Sequence, residues 1–176
     1  MVSGGPRLRM RRPDEIRRDR RGRSHPCWGH LLAAPLWPKH GVNLGTLLRT
    51  CDAVGACLVV PDRPWVPEAL ARGNTLRRPA CVHWFRGDAV DWLAAERATG
   101  AHIVGVELAE DACRLGDLPA ARRRTVAVLG NEGYGIPPEA LDLLDLAVEI
   151  PMLGSGASLN VAVAGSLVLY KLAGLL

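Results

Sequence analysis

No pair of cysteines in this chain is spaced as CxxC, and the five that occur, Cys27, Cys51, Cys57, Cys81 and Cys113, are odd in number. Such spacing argues against a disulfide framework and against a zinc site, so no metal is expected, and it fits a reducing cytoplasm. The five histidines, His25, His30, His40, His83 and His102, share no ligand spacing, so surface or core positions are expected for them. Lysine occurs only at Lys39 and Lys171 against twenty arginines, a bias that points to a GC-rich genome more than to a mechanism. Phenylalanine occurs once and tyrosine twice; of the five tryptophans, Trp28 and Trp37 flank the first apolar run, where packing is expected and base stacking is the alternative. No apolar run follows the basic N-terminus, which excludes a secretory signal, and Asp14, Glu15 and Asp19 weaken a transit-peptide reading. Only Leu159 to Leu176 approaches the length of a membrane span, and Asn160, Ser166 and Lys171 interrupt it. No membrane association is expected, and a nearly all-apolar helix there must be buried in a core or an interface.

What is present is a 176-residue chain, 48% hydrophobic, with a formal net charge of +4. That length suits one domain with a proper core. The charge is uneven. Residues 1–23 hold nine arginines and three acids, a net of +6, whereas the remainder is net −2. A basic arm on a near-neutral body implies a polyanionic partner, nucleic acid first. The expected organisation is therefore an Arg-rich, flexible arm over residues 1–29 and a folded domain over 30–176.

In the domain, apolar runs at 31–36, 57–60, 81–85, 103–106, 126–129 and 146–150 alternate with helical patterns at 43–54, 67–72, 88–99, 138–144 and from about 158 to the C-terminus. Residues 107–124 read as loop with at most one helical turn. This alternation predicts an α/β fold, a mostly parallel sheet sandwiched by helices, with ligands beyond the carboxyl ends of the strands.

Three stretches carry chemistry. "LGNEGYGI", residues 129–136, ends an apolar run in three glycines around one carboxylate, Glu132. Either a plain strand-to-helix turn or close approach of backbone to a ligand explains such glycines. "NLGTLLRTCDAVGA", residues 43–56, reads as an amphipathic helix capped by Asn43, with Leu44, Leu47, Leu48, Cys51 and Val54 on one face and Arg49 off it. "IPMLGSGASLNVAVA", residues 150–164, reads as a strand end, a flexible loop and a final helix capped by Ser158.

In this order and near these spacings, the three stretches resemble the signature motifs of the SpoU/TrmH family of RNA ribose 2′-O-methyltransferases, in the SPOUT superfamily. The resemblance covers roughly residues 30–176. It implies a C-terminal trefoil knot that binds S-adenosylmethionine, with main-chain contacts to the cofactor at Gly130, Ile150 and Leu159 and, more loosely, at Val106. The glycines would let backbone surround the adenosyl group. Arg49 matches the family's catalytic arginine, Asn43 the motif-one asparagine, Glu132 the motif-two acid, and Ser158 and Asn160 the motif-three pair beside the transfer centre.

The family proposal casts the arginine as a base, but lowering a guanidinium from about 12.5 to near 8 would cost about 6 kcal/mol. Arg49 is expected instead to hold the neighbouring phosphate and stabilise the 2′-oxygen, with Glu132 orienting it. The resemblance also implies a homodimer in which the arginine crosses to the other subunit, with Val161, Val163, Leu167, Val168 and Leu172 of the last helix supplying the interface. Among substrates, the motif-one wording lies nearest the TrmH branch and the basic arm fits the short extensions of tRNA guanosine-18 members. Only residues 1–29 precede the domain, so the ribosomal-protein-like domain of some rRNA members is not expected. The chain stops at Leu176, without the C-terminal extension of the tRNA enzymes. A tRNA is therefore expected ahead of an rRNA. A non-catalytic RNA-binding module and a small-molecule methyltransferase are the competing classes; the complete residue set disfavours the first and the basic arm the second.

Overall fold

A computed structural model describes residues 10–19, 27, 29–76 and 81–176. His25, Trp28 and much of the arginine-rich arm lie outside the described residues. Within the arm, a short helix α1 (Pro13–Asp19) begins on a proline followed by Asp14 and Glu15, which suit a helix N-terminus. The domain then runs β1 (Leu31–Pro35), α2 (Val42–Val54), β2 (Cys57–Pro61), α3 (Val66–Ala71), β3 (Val82–Phe85), α4 (Ala89–Ala98), β4 (His102–Val106), β5 (Cys113–Arg114), β6 (Thr125–Leu129), α5 (Pro138–Leu141), β7 (Leu146–Glu149) and α6 (Val161–Leu172).

All seven strands are parallel, in the order β3-β2-β1-β6-β4-β7-β5. β1, β2 and β6 are buried at every position, which is why they read as continuous apolar runs rather than as alternating ones. Successive side chains still go to opposite faces. Leu31, Ala33, Leu58, Val60, Ala127 and Leu129 join the core under α2, α3 and α6. Leu32, Ala34, Cys57, Val59, Val126 and Val128 join the core under α4 and α5. Trp37 packs against that second core, in agreement with the packing role.

Several local expectations are corrected. Asn43 does not cap α2: the helix starts at Val42 with Gly41 at the cap position, and Asn43 is buried inside the first turn. Ser158 does not cap α6; Asn160 does, its Oδ1 accepting from the backbone of Ala162 at 2.9 Å and Val163 at 3.3 Å. The 107–124 connection contains β5, which pairs with β7, and one 3-10 turn at Leu115–Asp117. In α6, Val168 and Leu172 are core residues rather than interface residues, at 0% and 3% exposure; Val163 is the exposed one, at 50%. Among the described residues no helix is long and apolar enough to cross a membrane.

Candidate active site

Because β1, β6, β4 and β7 are parallel neighbours, the chain leaves all four at one edge of the sheet. The three sequence motifs follow β1, β6 and β7, so topology alone gathers them.

The glycine turn after β6 closes on itself. Asn131 and Gly135 exchange backbone hydrogen bonds of 2.9 Å, and the Asn131 side chain accepts from Gly133 N–H at 2.8 Å while donating to the Trp37 carbonyl at 2.9 Å. A Cβ on Gly130 would lie 2.5 Å from the Gly135 carbonyl carbon and 2.7 Å from Ile136 N, and Gly135 has a φ of +74°. Both glycines are therefore required by the turn's own folding, whatever binds beside it.

That turn holds Glu132 against the chain leading into α2. Its carboxylate accepts from Lys39 N–H at 2.8 Å, His40 N–H at 3.1 Å and the Asn43 side-chain amide at 2.7 Å. Partial burial alone would raise this carboxyl, but the backbone donors and the Asn43 amide outweigh it, and Glu132 sits below the usual carboxylate range. Asn43 in turn accepts from the Asn160 side chain at 3.0 Å, and Asn160 caps α6. One hydrogen-bonded series, Glu132 to Asn43 to Asn160 to the α6 N-terminus, thus joins all three motifs. Glu132 is occupied by these partners and does not touch Arg49, so the expected Glu132–Arg49 contact is absent within one chain.

Beside this series lies a cleft of about 180 Å³, open to solvent. Its walls include Val106, Ile150 and Leu159, three of the four residues expected at a cofactor, together with Ser158. Gly130 is not part of its lining; it shapes the glycine turn. The apolar wall is completed by Leu108, Val148, Met152 and Ala164, and two carboxylates, Glu107 and Glu149, face the same space. The sequence points to the loop around Val106–Leu108 without giving Glu107 a role of its own. Its carboxylate accepts from Ile136 N–H at 2.9 Å and so ties the β4 loop to the glycine turn. The available signal is its position directly after a strand, the place where α/β sheets carry ligands.

Arg49 stands apart. It is exposed on α2, has no hydrogen-bond or ion-pair partner among the described residues, and lines a different cleft with Thr46, Thr50, Ala53, Gly73 and Tyr170. The two clefts share no residue. An unpaired guanidinium beside three hydroxyl groups is suited to a phosphate-bearing ligand.

Comparison with known proteins matches residues 37–170 to the SpoU rRNA Methylase family. The 23S rRNA (uridine(2479)-2′-O)-methyltransferase of Streptomyces viridochromogenes is 34% identical over 136 residues, covering 73% of this chain and 47% of that protein. The tRNA (guanosine(18)-2′-O)-methyltransferase of Escherichia coli K12 is 34% identical over 133 residues, covering 73% and 56%. The chain thus spans about half the length of these curated relatives. Among solved structures, the AdoMet-bound rRNA methyltransferase of Sinorhizobium meliloti superposes with a TM-score of 0.69 at 26% identity, over 82% of this chain and 56% of that one. The A. aeolicus TrmH/SpoU tRNA modifying enzyme does so with a TM-score of 0.67 at 25% identity, over 84% and 75%. By motif order, by fold and by the extent of the match, the chain belongs to the SpoU rRNA Methylase family.

Proposed function

We propose that this protein transfers a methyl group from S-adenosylmethionine to a ribose 2′-oxygen of RNA, with tRNA favoured over rRNA, and that it acts in the cytoplasm. The observation that carries the reading is the series Glu132–Asn43–Asn160, which joins the three motif loops beside a cleft lined by the third of them and by the chain leaving β4. The cleft's chemistry fits the cofactor: apolar side chains from Val106, Val148, Ile150 and Leu159 for the adenine, and the Glu107 and Glu149 carboxylates for hydroxyl and cationic groups. When bound, the cofactor would supply an activated methyl on a sulfonium, whose departure needs no metal.

The chain's own residues would do the rest. Main chain at Ile150 and Leu159 would grip the cofactor, and Ser158, exposed on the cleft, would face the incoming ribose. Arg49 would anchor the adjacent phosphate and stabilise charge developing on the 2′-oxygen, while the phosphate accepts the proton. Because Arg49 lines a cleft separate from the cofactor's, the complete site would need a second copy of the chain to supply the arginine. A homodimer packed through the exposed apolar side chains at the start of α6, Leu159 and Val163, belongs to the same proposal. So does the trefoil knot. It is supported by the likeness of the fold to the solved TrmH/SpoU and SpoU methyltransferase structures.

The test is incubation of the full chain with tritiated S-adenosylmethionine and either tRNA or rRNA, followed by mapping of the label. Label on a tRNA ribose is expected. Label on rRNA alone would transfer the substrate to rRNA, a class that the Streptomyces relative's name already represents. RNA binding without label in either would leave a binding module. Arg49→Lys keeps the charge but loses the planar fork, so it should lose most activity while cofactor affinity stays within a few-fold. Near-wild-type methylation by that variant would overturn the role given to Arg49.

A further inference from the structure

At the other edge of the sheet, where the parallel strands begin, four soft ligands converge. Cys57 opens β2, and Leu58 N–H donates to the Cys81 carbonyl at 3.0 Å, which sets Cys57 and Cys81 side by side on neighbouring strands. His83 is two residues beyond Cys81, so it projects from the same face of the sheet. Cys27 arrives from the arm. The ligand atoms of Cys27, Cys57, Cys81 and His83 all lie within 4.8 Å of one another. Cys27 Sγ is 3.8 Å from Cys57 Sγ and 3.0 Å from His83 Nε2, and Cys81 Sγ is 3.4 Å from the same nitrogen.

A tetrahedral zinc ion with Zn–S of about 2.3 Å and Zn–N of about 2.0 Å would set its ligands about 3.8 Å apart for S···S and about 3.5 Å for S···N. The cluster therefore already has nearly the spacing of a zinc site built from three cysteines and one histidine. Burial first, and the neighbouring thiols second, push Cys57 far above the usual thiol range; burial raises Cys81 as well. A divalent cation at the centre reverses that preference, since it favours thiolates. The catalytic reading makes no use of any of these four residues.

We propose that Cys27, Cys57, Cys81 and His83 bind a thiophilic divalent metal ion, Zn²⁺ or one of its chemical kind, that fastens the arm to the β2–β3 edge of the sheet. Binding releases the three thiol protons to solvent, and His83 gives the lone pair of its neutral imidazole. All four positions are filled by protein, so the site is structural. It closes the exposed end of the sheet, where β3 is the outermost strand. It also fixes where the arginine-rich segment leaves the domain. The expectation of no metal rested on local spacing; three of these ligands are instead brought together by strand register.

The test uses the full chain, stripped with a chelator under reducing conditions and titrated with Co²⁺ and then Zn²⁺. One ion per chain is expected, with thiolate-to-cobalt charge-transfer absorption, tetrahedral visible bands, and three thiols withdrawn from a disulfide reagent until chelator is added. Cys27 is exposed, so Cys27→Ser should keep the fold yet weaken Co²⁺ by more than the ~100-fold that losing an outer-shell partner can cost. His83→Cys should retain binding through four thiolates, and Cys113→Ser should change nothing. Absence of the charge-transfer band in reduced protein would overturn the proposal. So would a Cys27–Cys57 disulfide in protein taken from reducing cells, or wild-type affinity in Cys27→Ser.

Discussion

Glu132 takes three donors, and two of them are backbone N–H groups that cannot turn away. A glutamine there offers one acceptor oxygen and one NH2 group, so at least one of those donors would face another donor. Glu132→Gln should therefore lower the melting temperature, and the loss should depend on pH. The folded-state pKa lies below the ordinary 4.5, so the carboxylate's contribution is fully present above that value. It disappears as pH falls through the lowered pKa. The gap in melting temperature between wild type and variant should accordingly be flat near neutrality and close in acid; a gap independent of pH down to strongly acidic solution would contradict this account. The sequence made Glu132, Asn43 and Asn160 legible as members of one site, because each stands in a recognisable motif. Their partnership was not legible. Asn43 has the residue type of a helix cap, but its side chain instead meets Glu132, 89 positions away, and Asn160, 117 positions away. Such a choice is made by tertiary contact, which local propensity does not contain.

The elements show why some readings succeed from sequence and others fail. Strands buried on both faces announce themselves as apolar runs, whereas two-residue β5 has no pattern to find. The end of α5 falls at Leu141 because Leu143 and Leu144 bond three residues back, a tightening that leaves the apolar pattern intact. Packing decides the glycines as well. Gly45 of α2 lies where a Cβ would overlap the Arg72 carbonyl at the end of α3; Gly165 of α6 would meet only side-chain ends, Leu129 Cδ1 at 2.8 Å and Leu47 Cδ2 at 2.9 Å. Alanine gains about 1 kcal/mol over glycine in a helix. At Gly45 backbone cannot yield, and overpacking should win by about 2 kcal/mol or more. At Gly165 the leucine ends can shift, so the net change should stay within about 1 kcal/mol. Thermal melts of Gly45→Ala and Gly165→Ala should rank in that order; equal stability would mean that α2 and α3 are not held this closely. The same helix separates fold from assembly. Val168→Asp places a charge in the core and should unfold the chain, whereas Val163→Asp should melt like wild type yet sediment as a monomer. A Val163→Asp dimer of wild-type affinity would remove the start of α6 from the interface.

For the whole molecule, the two edges of the sheet have different work. The carboxyl edge carries the three motifs, the amino edge carries the arm, and a sequence scan sees the first because its motifs are contiguous. The cysteine–histidine cluster is assembled from four separated positions and emerges only with strand register. The arm's charge was legible by counting: a net +6 in residues 1–23 against −2 elsewhere. Part of that charge is already paired, since Arg11 meets Asp19 and Arg18 meets Asp14 across α1, both pairs exposed and hence weak. A polyanion can displace such pairs, so they moderate the arm's affinity for RNA without abolishing it. Each arginine that neutralises a phosphate on single-stranded RNA contributes about 0.7 to the log–log salt slope, and engagement of about four would give a slope of about 3. Deleting residues 1–23 should therefore flatten the salt dependence of RNA binding by about that amount. It spares Cys27 and the whole cofactor cleft, so S-adenosylmethionine binding by calorimetry and Co²⁺ binding should both survive. RNA affinity of the two proteins is to be compared from low to moderate salt. Parallel slopes would show that the arm only solvates the chain, and RNA recognition would then have to reside in the domain, around Arg49 and its cleft.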